Sequence, residues 1–129
     1  MNPKQFLVVG GIVLLALGIV GFLGVFSDTK SAFYLDQGEN VAHTGLGIIA
    51  IAAAFLIRED LQKWLVAVVG VVALFFAVYG FMVAGNTPPN TFGISNLESP
   101  ADDVLHLVVG IWALAAVWLP RRAMVASAG

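Results

Sequence analysis

Four long stretches without a formally charged side chain dominate this chain. The first runs from Phe6 to Phe26 and the third from Trp64 to Ala84. The second, Val41 to Ile57, has only His43 and Thr44 as polar interruptions, and the fourth, Val104 to Leu119, has only His106 as a plainly polar one. A bilayer core about 30 Å thick needs about 20 helical residues at a rise of about 1.5 Å each. The first and third stretches reach that length alone. The second and fourth reach it once helical turns from Asp36 and from Ser99 are added. The intervening segments are a tight polar turn over Arg58 to Lys63, a loop over Ser27 to Gly38, and a longer loop over Gly85 to Pro100 carrying Pro88, Pro89 and Gly93.

Composition agrees with spanning helices. Of 129 residues, 60% are hydrophobic and 11% charged, against about 45–50% and about 25% in soluble domains. Too few charged groups exist to coat a water-exposed surface, which excludes a soluble enzyme. Six basic residues against eight acidic ones, a net charge of −2, leave no polybasic face, so no nucleic-acid partner is expected. The absence of cysteine removes disulfides, thiol catalysis and cysteine metal sites.

Charge bias sets the expected orientation. Lys4, Arg58, Lys63, Arg121 and Arg122 fall on one side, and Lys30 falls on the other with Asp28, Asp36, Glu39, Glu98, Asp102 and Asp103. Both termini are therefore expected in the cytoplasm and both long loops outside. Trp64 and Trp118 fall near the inner interface, and Tyr34 and Tyr79 lie toward the outer one. The first span is too long for a signal-peptide core and lacks a small-x-small cleavage site after it, so it is expected in the mature protein.

The chain repeats itself. Under a shift of sixty-three residues, Val41, His43, Gly47, Ile48, Ala50, Ala52, Ala53, Leu56 and Arg58 match Val104, His106, Gly110, Ile111, Ala113, Ala115, Ala116, Leu119 and Arg121. Apolar composition accounts for some of these identities. It does not readily account for the two histidines, a glycine four residues after each, and an arginine closing each helix. The first and third spans align more weakly, Val8-Val9-Gly10 with Val68-Val69-Gly70 and Gly21-Phe22 with Gly80-Phe81. Two spans per half give a parallel repeat, with its pseudo-twofold axis along the membrane normal. The expected architecture is an all-α, four-helix, up-down-up-down membrane bundle. It forms a single domain over 1–129, with repeat one at roughly 4–60 and repeat two at roughly 61–123.

The polar residues entering the second and fourth helices have two uses. Asp36-Gln37-Gly38-Glu39 and Ser99-Pro100-Ala101-Asp102 fit the capping-box pattern, with Pro100 at the first helical position. His43 and His106 lie about two turns inside their helices, four residues after Glu39 and Asp102 and three after Asn40 and Asp103. An imidazole at that depth needs a partner. A structural polar layer pinning the two hairpins together is one reading. A bis-histidine haem b is a second, with Gly47 and Gly110 clearing space for the ring, although both glycines suit close helix packing equally well. A divalent metal site built from Glu39, His43, Asp102, Asp103 and His106 is a third. A proton or ion path is disfavoured, because the first and third spans carry no ionisable group near midplane. Gly10, Gly11, Gly18, Gly21 and Gly24 read as points of close helix approach, within the bundle or between subunits. Trp112 reads as a core or lipid-facing aromatic. No catalytic constellation is visible.

The segments Phe92-Gly93-Ile94-Ser95-Asn96 and Ala101-Asp102-Asp103-Val104-Leu105-His106-Leu107, followed by Gly110, resemble a family of small bacterial four-span membrane proteins known as a domain of unknown function. Glu39-Asn40-Val41-Ala42-His43 with Gly47 resembles its companion signature. Asp103 replaces the usual asparagine of the family's Asp-Asn pair, and Glu98-Ser99-Pro100 lengthens the approach from Asn96. The resemblance covers nearly the whole chain and implies four spans in a bacterial cytoplasmic membrane. It implies no activity. The functional expectation is a non-enzymatic structural or accessory protein of the lipid bilayer, without a cofactor, acting through helix association in a homo-oligomer or larger membrane complex. A haem or metal carrier using His43 and His106 is the alternative, and a small transporter or channel ranks last.

Overall fold

The structure, a computed structural model, describes residues 1–31 and 33–119, less the side chain of Asn90. Arg121 and Arg122 of the charge argument, the first of which also enters the repeat, lie outside the described residues. Four helices are long and apolar enough to cross a membrane: α1 (Pro3–Phe22), α2 (Gln37–Leu56), α3 (Glu59–Val83) and α4 (Ala101–Trp118). A short antiparallel ribbon, β1 (Asn90–Thr91) with β2 (Ser95–Asn96), lies in the loop before α4 and pairs Asn90 with Asn96 and Thr91 with Ser95. The sequence reading has only a loop there.

Local chemistry sets the helix ends. Asn2 accepts from Gln5 N at 2.9 Å while Gln5 Oε1 accepts from Asn2 N at 3.0 Å, and Pro3 fills the first turn of α1, where its missing N–H is no loss. The apolar run continues to Phe26, but α1 stops at Phe22 because Gly24 takes φ +78°. Val25 N then donates to Val20 O at 3.3 Å and Gly24 N to Gly21 O at 3.0 Å, the bond pattern of a glycine helix stop. Gly24 is thus a terminator and not a point of helix contact. At the end of α2 the buried Gln62 Nε2 donates to Ala54 O at 3.1 Å and Ile57 O at 3.0 Å, with a longer contact to Ala53 O at 3.4 Å. One side chain from the next helix thereby satisfies carbonyls that a helix end leaves open. Glu59 and Asp60 occupy the first turn of α3, where negative charge suits the positive end of the helix dipole.

The helices pack mostly in pairs, α1 on α2 and α3 on α4. Glycine sets the separation in both. A Cβ at Gly47 would stand 2.6 Å from Leu15 N and 2.8 Å from Gly11 O, both backbone atoms that cannot yield. A Cβ at Gly110 would stand 2.7 Å from Leu74 Cγ and 3.1 Å from Gly70 O. Gly11 abuts Ile51 and Gly70 abuts Leu114, at matching places in the two pairs. The buried face of α1 includes Leu7, Gly11, Gly18 and Gly21, and that of α3 includes Val66, Gly70, Ala77 and Gly80. Gly70 therefore occupies the place of Gly11, one residue on from the Gly10 match suggested by sequence. Gly10 meets only Phe6, at contact distance.

The two pairs join through α1 against α3 and, more lightly, α1 against α4. Phe6 meets Trp112 edge to face at 4.6 Å, and the Trp112 indole N–H points to Met1 Sδ at 3.0 Å. The core between the pairs is thin, built on Phe6, Leu7, Val66, Ala54, Ala113 and Ala116. Large apolar side chains point outward instead, Leu56 at 81% exposure and Met82 at 77%. Asn2, Gln62 and Leu119 line one shared depression, so the chain start, the α2–α3 turn and the end of α4 gather at one end of the molecule. The long loops lie at the other.

Two substitutions test this packing by thermal unfolding in detergent. Gly47→Ala is expected to destabilise by about 1–3 kcal/mol, the range for overpacking a close contact. Gly45→Ala, where a Cβ meets nothing within 4 Å, should hold or gain up to about 1 kcal/mol from helix propensity. Equal losses at both positions would refute the glycine contact.

Candidate functional site

The polar residues singled out in the sequence lie at the loop end, at the entries to α2 and α4. The first capping box forms as expected: Glu39 N donates to Asp36 Oδ1 at 2.9 Å and Asp36 N to Glu39 Oε2 at 2.8 Å. Asp36 does more than cap. Its Oδ2 also accepts from Asn96 N at 2.8 Å and from Ser95 Oγ at 3.1 Å. One carboxylate thus ties the start of α2 to strand β2, sixty residues away. Gly38 permits this approach, since a Cβ there would stand 2.6 Å from Ile94 O. Sequence identified Asp36 as a cap, and nothing local marked its second role.

The ribbon is held from beneath by aromatic stacking. Its turn carries two residues in the left-handed region, Phe92 at φ 54° and Gly93 at φ 76°. For Phe92 that backbone costs of order 1 kcal/mol or more. The Phe92 ring stacks on Tyr79 at 5.1 Å, and Tyr79 stacks on Phe75 at 5.8 Å, which offsets that cost. Thr91 of β1 and Leu97, just after β2, are buried.

The second capping box does not form as the sequence suggests. Pro100 is the cap residue, one position later than the expected Ser99; it makes no side-chain cap bond, and α4 begins at Ala101. Asp102 reaches past Ser99 to accept from Glu98 N at 2.6 Å. The acid still satisfies a free N–H before the helix, with the partner shifted by one residue. Glu98, in the loop, has its carboxyl held above the usual carboxylate range, first by burial and then by the nearby Asp36 charge.

Asn40 and Asp103 form a matched pair. Asn40 Oδ1 presses on Gly21 of α1, and Asp103 Oδ1 presses on Gly80 of α3. Asn40 is 1% exposed and Asp103 0%. The Asn40 oxygen and both Asp103 oxygens are buried without a hydrogen-bond partner. Thr44 Oγ1 is buried in the same way and lies against Gly18. Each hairpin thus closes its loop end on a polar side chain that only a glycine opposite can accommodate.

His43 and His106 are both half-buried. His106 Nδ1 lies 2.7 Å from Asp102 O, and its ring is 5.8 Å from Phe76. Protonated Nδ1 would donate there and leave Nε2 with a free lone pair. His43 Nδ1 is buried without a partner. Gly47 and Gly110, the residues expected to clear space for a ring, face Leu15 of α1 and Leu74 of α3 inside their own hairpins. The space beside them is filled. Glu39 and Asp102 spend carboxylate oxygens on the backbone N–H groups already described. Among the described residues, no group of three or more histidine, aspartate or glutamate side chains is disposed to hold a metal ion. No family model, curated protein or solved structure matches the chain.

Three outcomes follow. Asp36→Ala should cost about 0.5–2 kcal/mol as a lost cap and raise amide exchange at Ser95 to Leu97 by mass spectrometry. Unchanged exchange there would refute the bridge. Asp103→Asn, which copies Asn40, should not lower the unfolding temperature, and a clear loss would show that the charge is used. Because the folded state favours protonated Glu98, Glu98→Gln should stabilise at pH 7, with the gain fading as pH falls into the ordinary carboxylate range.

Proposed function

We propose that the protein is a small multi-pass membrane protein of the bacterial cytoplasmic membrane, serving as a structural or accessory subunit without chemistry of its own. Its two hairpins form a parallel repeat with both termini in the cytoplasm. The matched contacts of Gly11 and Gly70, Gly47 and Gly110, and Asn40 and Asp103 support the repeat. Large outward-facing apolar side chains on all four helices support insertion. Kinship with the four-span family of unknown function accords with Asn96, Asp102, Asp103 and His106 all lying at the loop end.

The observation that carries the accessory role is the partnering of α2. Among the helices, α2 packs chiefly on α1. Its remaining surface carries Val41, Ala42, Leu46, Ile48 and Ile49 exposed, and Gly45 opens onto empty space. In lipid, helices associate through close van der Waals contact at small residues, so an open glycine on a helix with one main neighbour suits a further helix. That helix comes from a second copy or from another membrane protein.

Haem or metal binding is the second reading, and the Nε2 lone pair available on His106 favours it. Oxidised and reduced visible spectra with elemental analysis separate the two. A Soret band, or stoichiometric metal, lost in both His43→Ala and His106→Ala would establish a carrier and sink the accessory reading.

Orientation and association are testable directly. The chain has no cysteine, so single cysteines at Thr29, Asn86 and Glu59 report sidedness. A membrane-impermeant maleimide on intact cells should label the first two and not the third. Gly45→Trp should keep the helical fold and weaken association measured by energy transfer between labelled copies in vesicles, or by crosslinking to the native membrane complex. Unaltered association in both assays would overturn the role given to α2.

A further inference from the structure

The end opposite the loops carries a second feature, outside the polar layer. An open depression of about 400 Å³ lies among α1, the α2–α3 turn and the end of α4, with Lys4, Glu59, Asp60, Lys63 and Val117 in its lining. A narrower notch of about 110 Å³ shares Lys63 and Val117 with it and runs between Trp64 and Trp118. The two together have the form of a phospholipid site, a polar bowl continuing into an apolar slot. Trp64 and Trp118 are 69% and 61% exposed, the pattern of aromatic side chains at headgroup depth.

Charge selects the lipid class. Asp60 is already paired, with Arg58 Nε at 3.2 Å. Lys4 lies with its Nζ 5.1 Å from the Phe55 ring centroid, a contact that does not neutralise the ammonium. Lys63 makes no ion pair with a described carboxylate. Counting Asp60 with its partner Arg58, Lys4 and Lys63 against Glu59 leave the lining net positive, with the Glu59 carboxylate to accept from a hydroxyl. A headgroup with one negative phosphate and neutral hydroxyls complements that set. A zwitterionic headgroup with a quaternary ammonium does not.

We propose that this bowl and slot bind a phosphatidylglycerol-type anionic lipid. The phosphate sits at Lys63 and Lys4, headgroup hydroxyls meet Glu59, and one acyl chain enters between Trp64 and Trp118. The inference rests on the membrane-spanning reading and is independent of the accessory role and of sidedness.

The test is native mass spectrometry of the full chain in neutral detergent, with phosphatidylglycerol and phosphatidylcholine of identical acyl chains in equal amounts. Wild-type protein should retain the anionic lipid in preference. Lys63→Gln should lower that preference about five-fold, the factor for losing about 1 kcal/mol per basic residue at a membrane surface. Lys30→Gln, at the loop end, should leave it unchanged. Inorganic phosphate should displace the lipid no better than sodium chloride of equal ionic strength, since it lacks the chain that fills the slot. Absence of a preference, an equal effect of Lys30→Gln, or selective displacement by phosphate would each overturn the site. Circular dichroism on the same samples distinguishes such a failure from loss of the helical membrane fold.

Discussion

Backbone-to-backbone approach at glycine is the contact on which the rest of the structure depends. Gly11 against Gly47 and Gly70 against Gly110 set the spacing of the two hairpins. In the membrane setting proposed for these helices there is no hydrophobic gain from hiding leucine from water, and helices hold by close van der Waals contact. That explains the inverted packing, with glycine and alanine inside and the large apolar residues outside. It also explains why the buried core is small: at such short separations there is no room for a filled layer of long side chains.

Such close packing leaves the ends to be closed by polar groups, and different devices serve the two ends. At the loop end, Asp36 caps α2 and holds strand β2, while Asn40 and Asp103 press on Gly21 and Gly80. At the other end, Gln62 closes the carbonyls of α2 from within α3. Asp36 and Gln62 complete the backbone of another element, whereas Asn40 and Asp103 fill the space left by a glycine opposite. The hairpins are thereby locked in register at both ends, although their mutual interface is slight.

This division shapes what the molecule can do. The histidines sit beside glycines taken up by packing within each hairpin, so the loop end reads first as a polar closure. The other end presents a net positive bowl and a slot framed by tryptophans. The side of α2 away from α1 offers an open glycine. The proposed accessory role and the proposed lipid site draw on these separate surfaces.

Much of this was legible in the sequence. Four helices long and apolar enough to span follow from run length, because crossing the bilayer demands about 20 apolar residues per helix. The cap at Asp36 and the match of His43 with His106 follow from short-range patterns. Three features were not legible, each for a physical reason. The stop at Gly24 depends on a backbone angle, and an apolar run gives no sign of it. The shift of the second cap to Asp102 and Glu98 depends on the loop path before α4. The Asp36 bridge joins atoms sixty residues apart, and spacing along the chain carries no information about such contacts. The sequence by itself determined that there are four long apolar helices and where the first cap of α2 falls, because these depend on hydrophobicity and local hydrogen bonding. Tertiary structure alone decided which glycines meet, which carboxylates are taken up and where the open surfaces lie, because these depend on how closely two backbones approach.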